Sequence, residues 1–499
     1  MLQTLKNAWN TKEIRSKILF TFFILLLYRI GTVIPVPFVE ANTFASSFSG
    51  TILDYMNTLS GGALGTATLF ALGVQPYINA SIIIQLLAVV FPKLGELAKN
   101  DKEKMNFITR ITTVIIAVVT AIGYYFLLRG DGGANSALVN AARPSQNPGS
   151  AWFYGIVIVA CYCAGASLVM WLAERINERG IGNGISIILF ANIVAAVPSK
   201  AYQLAVLVIN TYGYQQKAWL YGLISTVFAL AFVAFIVALV IFVIHITGSE
   251  RRIPIQYAKK VVGRKMYGGQ NSNLPIKLNM TGVMPIIFAS SIVSLIPTIL
   301  ALCRVNSTTK FWGRVNELLA PDGIIYPVSL FILIIAFAYF YTQITFDPME
   351  VSNNLKKQGG TIPGIRQGRP TADYIRKILN KITLAGALFL GVIAVLPVVA
   401  GPHALQHLIN WIVDGSNEAV RLGVVTNTLD TKTYSDVYEQ IALMQEQNAL
   451  SSYIAALKSN FSSTFTFGGT SLLIVVGVAI ETFRELEAQL TMRNYKGFL

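Results

Sequence analysis

The stretch DYMNTLSGGALGTATLFALGVQPYINASIIIQLLAVVFPK, Asp54–Lys93, carries charge only at its two ends. The 38 residues between are largely apolar, yet Gly61, Gly62, Gly65, Gly73, Gln75, Pro76, Asn79 and Gln85 interrupt them. A simple membrane helix needs about 20 apolar residues, and backbone inside a bilayer must have its N–H and C=O groups met by protein or water. This run is too long and too broken for one such helix. Its break falls near Gly73–Pro76, between a weakly apolar piece, Leu59–Leu72, and a strongly apolar one, Ile78–Phe91. The stretch therefore predicts a discontinuous helix beside a wet cavity in mid-membrane, as in a pore or transport path.

The composition agrees. Of 499 residues, 54% are apolar and 13% charged, with mean hydropathy +0.57, which excludes an ordinary soluble protein. Apolar runs of spanning length lie near 18–34, 73–91, 108–128, 153–172, 185–209, 219–247, 280–302, 325–346, 382–400 and 465–482. These predict an all-α polytopic membrane protein with ten spans. The first run follows Lys6, Lys12, Arg15 and Lys17 without a small-residue cleavage site, and reads as a retained helix. With the N-terminus inside, the inner segments together carry +15 and the outer ones −1, Arg29 in the first span supplying one further positive charge. Both termini are then expected on the cytoplasmic side. The spans divide five and five at the polar Asn210–Lys217, giving expected halves 1–213 and 214–499.

Two inner loops are strongly basic. Gly248–Lys277 carries Arg251, Arg252, Lys259, Lys260, Arg264, Lys265 and Lys277 against Glu250, interleaved with Tyr257 and Tyr267. Asp347–Lys381 carries Lys356, Lys357, Arg366, Arg369, Arg376, Lys377 and Lys381, with turn chemistry at Gly359–Gly360 and Pro363–Gly364. Each is longer than orientation requires, which points to a docking surface for an anionic partner such as RNA or an acidic motor protein. The outer segment Gly401–Thr464 is acidic, and its apolar spacing around His403–Val420 and Tyr434–Leu457 predicts amphipathic helices over the outer face.

Signatures of catalysis are missing. There is no phosphate-binding G-x-x-x-x-G-K-[ST], and Gly180–Gly184 (GIGNG) enters a span, where close packing or a hinge explains the glycines better than phosphate does. Cys161, Cys163 and Cys303 read as packing residues, and the pair His403 and His407 lacks further ligands, so no metal or cofactor is expected. Ion-coupled transport needs ionisable groups in the membrane, but Arg29, His245 and Glu481 each lie near a span end, where snorkelling or the interface accounts for them. That scarcity counts against the alternative of a secondary transporter for a small solute. Val74, Ile78 and Ile82 share one face after the Gly73 break, as do Ile185 and Leu189 after GIGNG. These are either helix-packing residues or an aliphatic constriction, which repels water and ions without gripping what passes.

Five blocks in order are similar to one family. They are SGGALGTATLFALGVQPYINASIIIQLLAVVFPKLGEL (Ser60–Leu97), WLAERINERGIGNGISIILFANIVAAVP (Trp171–Pro198), RRIPIQYAKKVVGRKMYGGQNSNLPIKLNMTGVMPIIFASSI (Arg251–Ile292), DPMEVSNNLKKQGGTIPGIRQGRPTADYI (Asp347–Ile375) and FGGTSLLIVVGVAIE (Phe467–Glu481). Each resembles the matching part of the SecY family, the channel subunits of the bacterial preprotein translocase. The resemblance spans nearly the whole chain apart from outer loops; Gly401–Thr464 is longer than is usual in the family and is assigned no function.

The resemblance implies two inverted five-helix halves in a clamshell, with a pore between them and a lateral gate to lipid. It implies a re-entrant plug helix near 60–72 that includes Ser60, Gly61, Gly62, Ala63, Leu64, Gly65 and Leu69. The implied pore ring is Val74, Ile78, Ile185, Leu189, Ile287 and Ile474, with Val74 and Leu189 departing mildly from the family's isoleucines. The implied gate lies between spans 73–91 and 108–128 on one side and 280–302 and 325–346 on the other, with Asn79, Ile82, Gln85, Ile286 and Ser290 among its members. Arg251, Arg252, Lys259, Lys260, Arg264, Lys356, Lys357, Arg366 and Arg369 would meet the SecA ATPase or the ribosome. Small membrane subunits, SecE and one like SecG, signal peptides, precursor proteins and the lipid bilayer are the other implied partners, in the bacterial cytoplasmic membrane.

Overall fold

The computed structural model describes residues 2–40, 52–129, 138, 151–212, 218–257, 260–262, 265–267, 271–302, 325–419 and 469–491. A described helix overlaps each of the ten apolar runs. After the short α1 (Leu2–Asn10) come α2 (Lys12–Gly31), α3 (Ile52–Leu59), α4 (Gln75–Val90), α5 (Pro92–Asn100), α6 (Lys102–Arg129), α7 (Ala151–Arg179), α8 (Gly184–Tyr212) and α9 (Ala218–Gly248). Beyond a β region follow α10 (Met284–Leu302), α11 (Ile325–Thr345), α12 (Pro348–Lys357), α13 (Arg369–Ala419) and α14 (residues 469–491). Among the described residues, four helices are long and apolar enough to cross a membrane, and five if the bent pair α4–α5 counts as one span. The protein is a multi-pass membrane protein.

The interruption in Asp54–Lys93 is where the sequence places it. Gly73 has φ +54°, Pro76 sits in the first turn of α4, and α4 then runs straight to Val90. Proline is tolerated there because the first helical N–H groups have no partner within the helix. At Phe91–Pro92 the chain bends by 118° into α5. The expected helix over Ser60–Leu72 is corrected: residues 60–74 are successive turns, and the helix lies just before them, as α3. Gly61 and Gly62 at φ +71° and +90°, then Ala67 at +49°, take the backbone out of the right-handed helical region.

One contiguous apolar core joins α2, α3, the turns, α4, α6, α7, α8, α10, α11, α13 and α14. Lipid-facing positions differ sharply from it on the same helix: in α4, Ile78 and Ile82 are buried while Ile83 is 40% exposed. α13 is 51 residues long, about 77 Å at 1.5 Å per residue, so it outruns a bilayer core of about 30 Å.

The all-α expectation holds for the membrane part and fails in the two basic loops. There β1 (Glu250–Tyr257), β2 (Lys260–Val262), β3 (Lys265–Tyr267), β4 (Asn271–Lys277) and β5 (Gly360–Thr361) form two small antiparallel sheets, in orders β4-β1-β5 and β2-β3. The reason is legible in β1, whose Ile253 and Ile255 are buried while Arg252, Pro254 and Gln256 face out. These isoleucines pack with Ile276, Leu355, Ile362, Ile375 and Leu379 in a core of their own. Gln256↔Thr361 and Tyr257↔Gly360 pair the first basic loop with the second.

Candidate functional site

All six residues of the implied ring fall in the large core, on four elements. Val74 precedes α4 and Ile78 lies on it; Ile185 and Leu189 lie on α8, Ile287 on α10 and Ile474 on α14, and none is more than 8% exposed. They come from both sequence halves and carry no polar atom beyond the backbone. α8 reaches this core through a tight turn after α7: Gly182 has φ +76°, and Gly184 N–H donates to Asn177 Oδ1 at 2.7 Å. A Cβ on Gly184 would lie 2.0 Å from the Ala173 carbonyl oxygen, so the close-packing reading of GIGNG holds.

The implied gate residues lie on α4 and α10, and α10 packs on both α4 and α6. Ile82 and Ile286 are buried in the core, and the Ser290 hydroxyl donates to Ile287 O at 3.0 Å. Gln85 donates through Nε2 to Ser81 Oγ at 2.9 Å and accepts from the Tyr341 hydroxyl of α11. Asn79 keeps a buried Oδ1 without a donor and lines a cavity of 860 Å³ between α3, the turns, α4, α6 and α10. Ser291, Ser294 and Thr298 of α10 form part of its far wall.

The turns over residues 60–74 are held by hydrogen bonds that their irregular backbone leaves open. Internally, Gly65 N–H donates to Asn57 Oδ1 at 2.7 Å and Leu64 N–H to Ser60 Oγ at 3.1 Å. From outside, Tyr124 donates to Leu64 O and Tyr162 to Ala67 O at 3.4 Å, and just before the turns Asn192 Nδ2 donates to Leu59 O, at the end of α3, at 2.7 Å. Ser60, Ala63 and Leu64 are buried, and Leu69 packs on the core. Arg29 needs a correction: it does not merely snorkel, because its Nη1 reaches Gly61 O and its Nη2 reaches Ala191 O, both at 3.4 Å.

The basic residues gather on the small sheet and its flanking helices. Arg251, Arg252, Lys356, Lys357, Arg366 and Arg369 are exposed, Arg252 pairing with Glu250 at 2.8 Å. The turn bearing Arg366 is fixed by Thr371 Oγ1 donating to Arg366 O at 2.7 Å and Ser352 Oγ to Gly368 O at 2.7 Å. At the end of β4, partial desolvation first and the like charge of Arg484 second hold Lys277 below the usual lysine range. Lys260 lies on β2, whereas Lys259 and Arg264 fall outside the described residues, as does the outer segment beyond residue 419.

A profile of the SecY family matches residues 68–426. The protein translocase subunit SecY of Streptomyces galbus is 38% identical over 510 residues, covering 100% of each chain. This chain belongs to the SecY family. The SecY of Mycobacterium tuberculosis (strain ATCC 25618 / H37Rv) is 37% identical over 514 residues, again over 100% of both. In fold, this SecY-family chain is similar to a solved protein-conducting channel, with TM-score 0.55 at 16% identity, over 95% of this chain and 92% of that one. It is similar in the same way to a SecY solved to study how its plug domain stabilises the closed state, with TM-score 0.55 at 17% identity over the same shares. Sec61 in the canine ribosome-channel complex gives TM-score 0.53 at 16% identity, also over 95% and 92%.

Sequence reasoning missed Tyr124, Tyr162, Asn192 and Tyr341 of this SecY-family chain. Each is a polar side chain in an apolar helix, and that was the available signal; its partner is a residue 60 or more positions away, which no local pattern reveals.

Proposed function

We propose that this chain is the protein-conducting channel subunit of a bacterial preprotein translocase, passing unfolded secretory chains across the cytoplasmic membrane and releasing apolar segments sideways into lipid. The observation that carries the reading is the interrupted segment: turns over 60–74 and then α4, packed into one apolar core with α8, α10 and α14. Full-length relatives named translocase subunits favour this reading over a small-solute transporter.

In this reading residues 1–213 and 214–499 are two inverted halves, each with five spans, and both termini are cytoplasmic. Ser60–Leu72 is the plug, and Val74, Ile78, Ile185, Leu189, Ile287 and Ile474 are the ring. α4 and α6 face α10 and α11 across the lateral gate. Packing of α10 on both α4 and α6 supports that placement. An apolar signal segment entering there would replace helix–helix contacts with its own and favour the open state.

The chain itself performs no chemistry in this account, so the energy comes from partners, the SecA ATPase or a translating ribosome. The exposed Arg366 turn, braced on a sheet shared by both basic loops, supports a docking role. SecE and a SecG-like subunit complete the complex. A photoreactive residue at position 78 or 287 should cross-link to a precursor stalled in transit. Cross-links from lipid-facing position 83 but from neither 78 nor 287 would contradict the path.

A further inference from the structure

Resting on the reading of Ser60–Leu72 as the plug, we propose that Tyr124 and Asn192, assisted by Tyr162 and Arg29, latch the plug to the amino-terminal helices. Separating α10 from α4 and α6 then leaves the plug seated, and the path clears only in a second step that breaks these bonds.

Four helices each send one donor-bearing side chain to a different carbonyl, three within the plug and one at Leu59 immediately before it. Arg29 of α2 reaches Gly61 O at 3.4 Å, Tyr124 of α6 reaches Leu64 O, Tyr162 of α7 reaches Ala67 O at 3.4 Å, and Asn192 of α8 reaches Leu59 O at 2.7 Å. Asn192 is further fixed by the Tyr28 hydroxyl at 2.8 Å, and the rings of Tyr124 and Tyr162 meet edge to face at 5.1 Å. α7 also touches the plug through backbone: a Cβ on Gly165 would lie 2.0 Å from Leu69 O. Every one of these groups precedes residue 213.

The opposite side of the plug differs. There Leu59, Ser60 and Leu64 border the 860 Å³ cavity, which α6, with Tyr124, and α4 line on one side and Ser291 and Ser294 of α10 on the other. Those two hydroxyls donate back into their own helix, to Ile287 O at 2.7 Å and Ser291 O at 3.0 Å. Thr298 reaches Met56 Sδ of α3 at 3.0 Å, but a thioether is a weak acceptor and the same hydroxyl lies 2.6 Å from Ser294 O. Among the described residues, then, the side-chain bonds to these carbonyls all come from one half, and α10 of the other half meets the plug region partly across the cavity. A gate that parts along α10 would widen this cavity without pulling on the plug. The latch bonds are donor-to-carbonyl contacts in a buried site, where an acceptor left unmet carries a penalty, so their loss should weigh directly on the closed state.

The test uses the full chain with its small partner subunits in planar bilayers, reading resting conductance, alongside SecA-driven transport of precursors with intact and with defective signal segments. Tyr124→Phe keeps the ring contact with Tyr162 and removes the donor. It should raise the resting open fraction on the order of tenfold and admit defective-signal precursors while intact-signal transport is unchanged. Tyr162→Phe should do the same more weakly, and Asn192→Ala more strongly. Deletion of residues 60–72 is the reference arm. Unchanged conductance on deletion would overturn the plug reading and the latch with it. Raised conductance on deletion, with Tyr124→Phe and Tyr162→Phe both at wild-type conductance, would overturn the latch alone. An equal fall in intact-signal transport in the Tyr→Phe variants would mean general misfolding and would also overturn it.

Discussion

The hydroxyl of Tyr341 on α11 donates to Oε1 of Gln85 on α4, two residues 256 positions apart. The same tyrosine packs its ring edge to face on Phe288 of α10 at 5.1 Å, and Gln85 reaches Ser81 at 2.9 Å. A half-buried bond of this kind is directional and reversible, which suits the proposed gate, whose two sides must part and return.

Tyr341→Phe should ease that parting. The ring contact with Phe288 stays while the Gln85 acceptor loses its donor, a change of about 1 kcal/mol or roughly fivefold in the open-to-closed ratio. Export of precursors carrying weakened signal segments should rise accordingly in a transport assay. Unchanged export would mean the bond does not restrain the gate.

The aliphatic ring should seal by repelling water. Ile78 and Ile287 are 1% and 2% exposed within one core, so Ile78→Asp or Ile287→Gly places charge or space in the proposed constriction. Resting ion conductance in planar bilayers should increase at least severalfold. Conductance equal to the parent's would count against these positions as the seal.

Arg366 stands exposed on a turn braced by Thr371 and Ser352. Arg366→Glu should weaken SecA-driven transport while leaving the amount of inserted protein unchanged, because an exposed charge contributes little to folding. The loss should be larger at low ionic strength, where screening is least. ATP-driven transport at the parent rate would refute the assignment.

Gly165 meets the Leu69 carbonyl across α7. Gly165→Ala forces either backbone to move, at a cost of about 1–3 kcal/mol, and should lower the thermal unfolding midpoint of the purified complex by several degrees. An unchanged midpoint would show that the turns yield freely.

Much of this architecture was legible in the sequence because membrane solvation is a strict condition. Charge-free runs mark the helices, and Gly73 with Pro76 marks the break, since backbone cannot be left unmet in lipid. The buried face of α4, Val74, Ile78 and Ile82, follows from helical spacing. The helix expected over Ser60–Leu72 comes from the resemblance; the paired glycines at 61 and 62, read as interruptions, are what take the backbone out of the helical region there. The sheet joining the basic loops was hidden by distance: Gln256 and Thr361 lie 105 positions apart, and β5 is two residues long. Arg29 looked like an interfacial charge because its carbonyl partners, at Gly61 and Ala191, are set by tertiary packing alone.

The channel claim meets its most direct test in vesicles containing the chain with SecE and a SecG-like subunit, supplied with SecA, ATP and an unfolded precursor. The account predicts precursor that becomes protected from added protease only when ATP is present. Flux of a small solute without any protected precursor would contradict it.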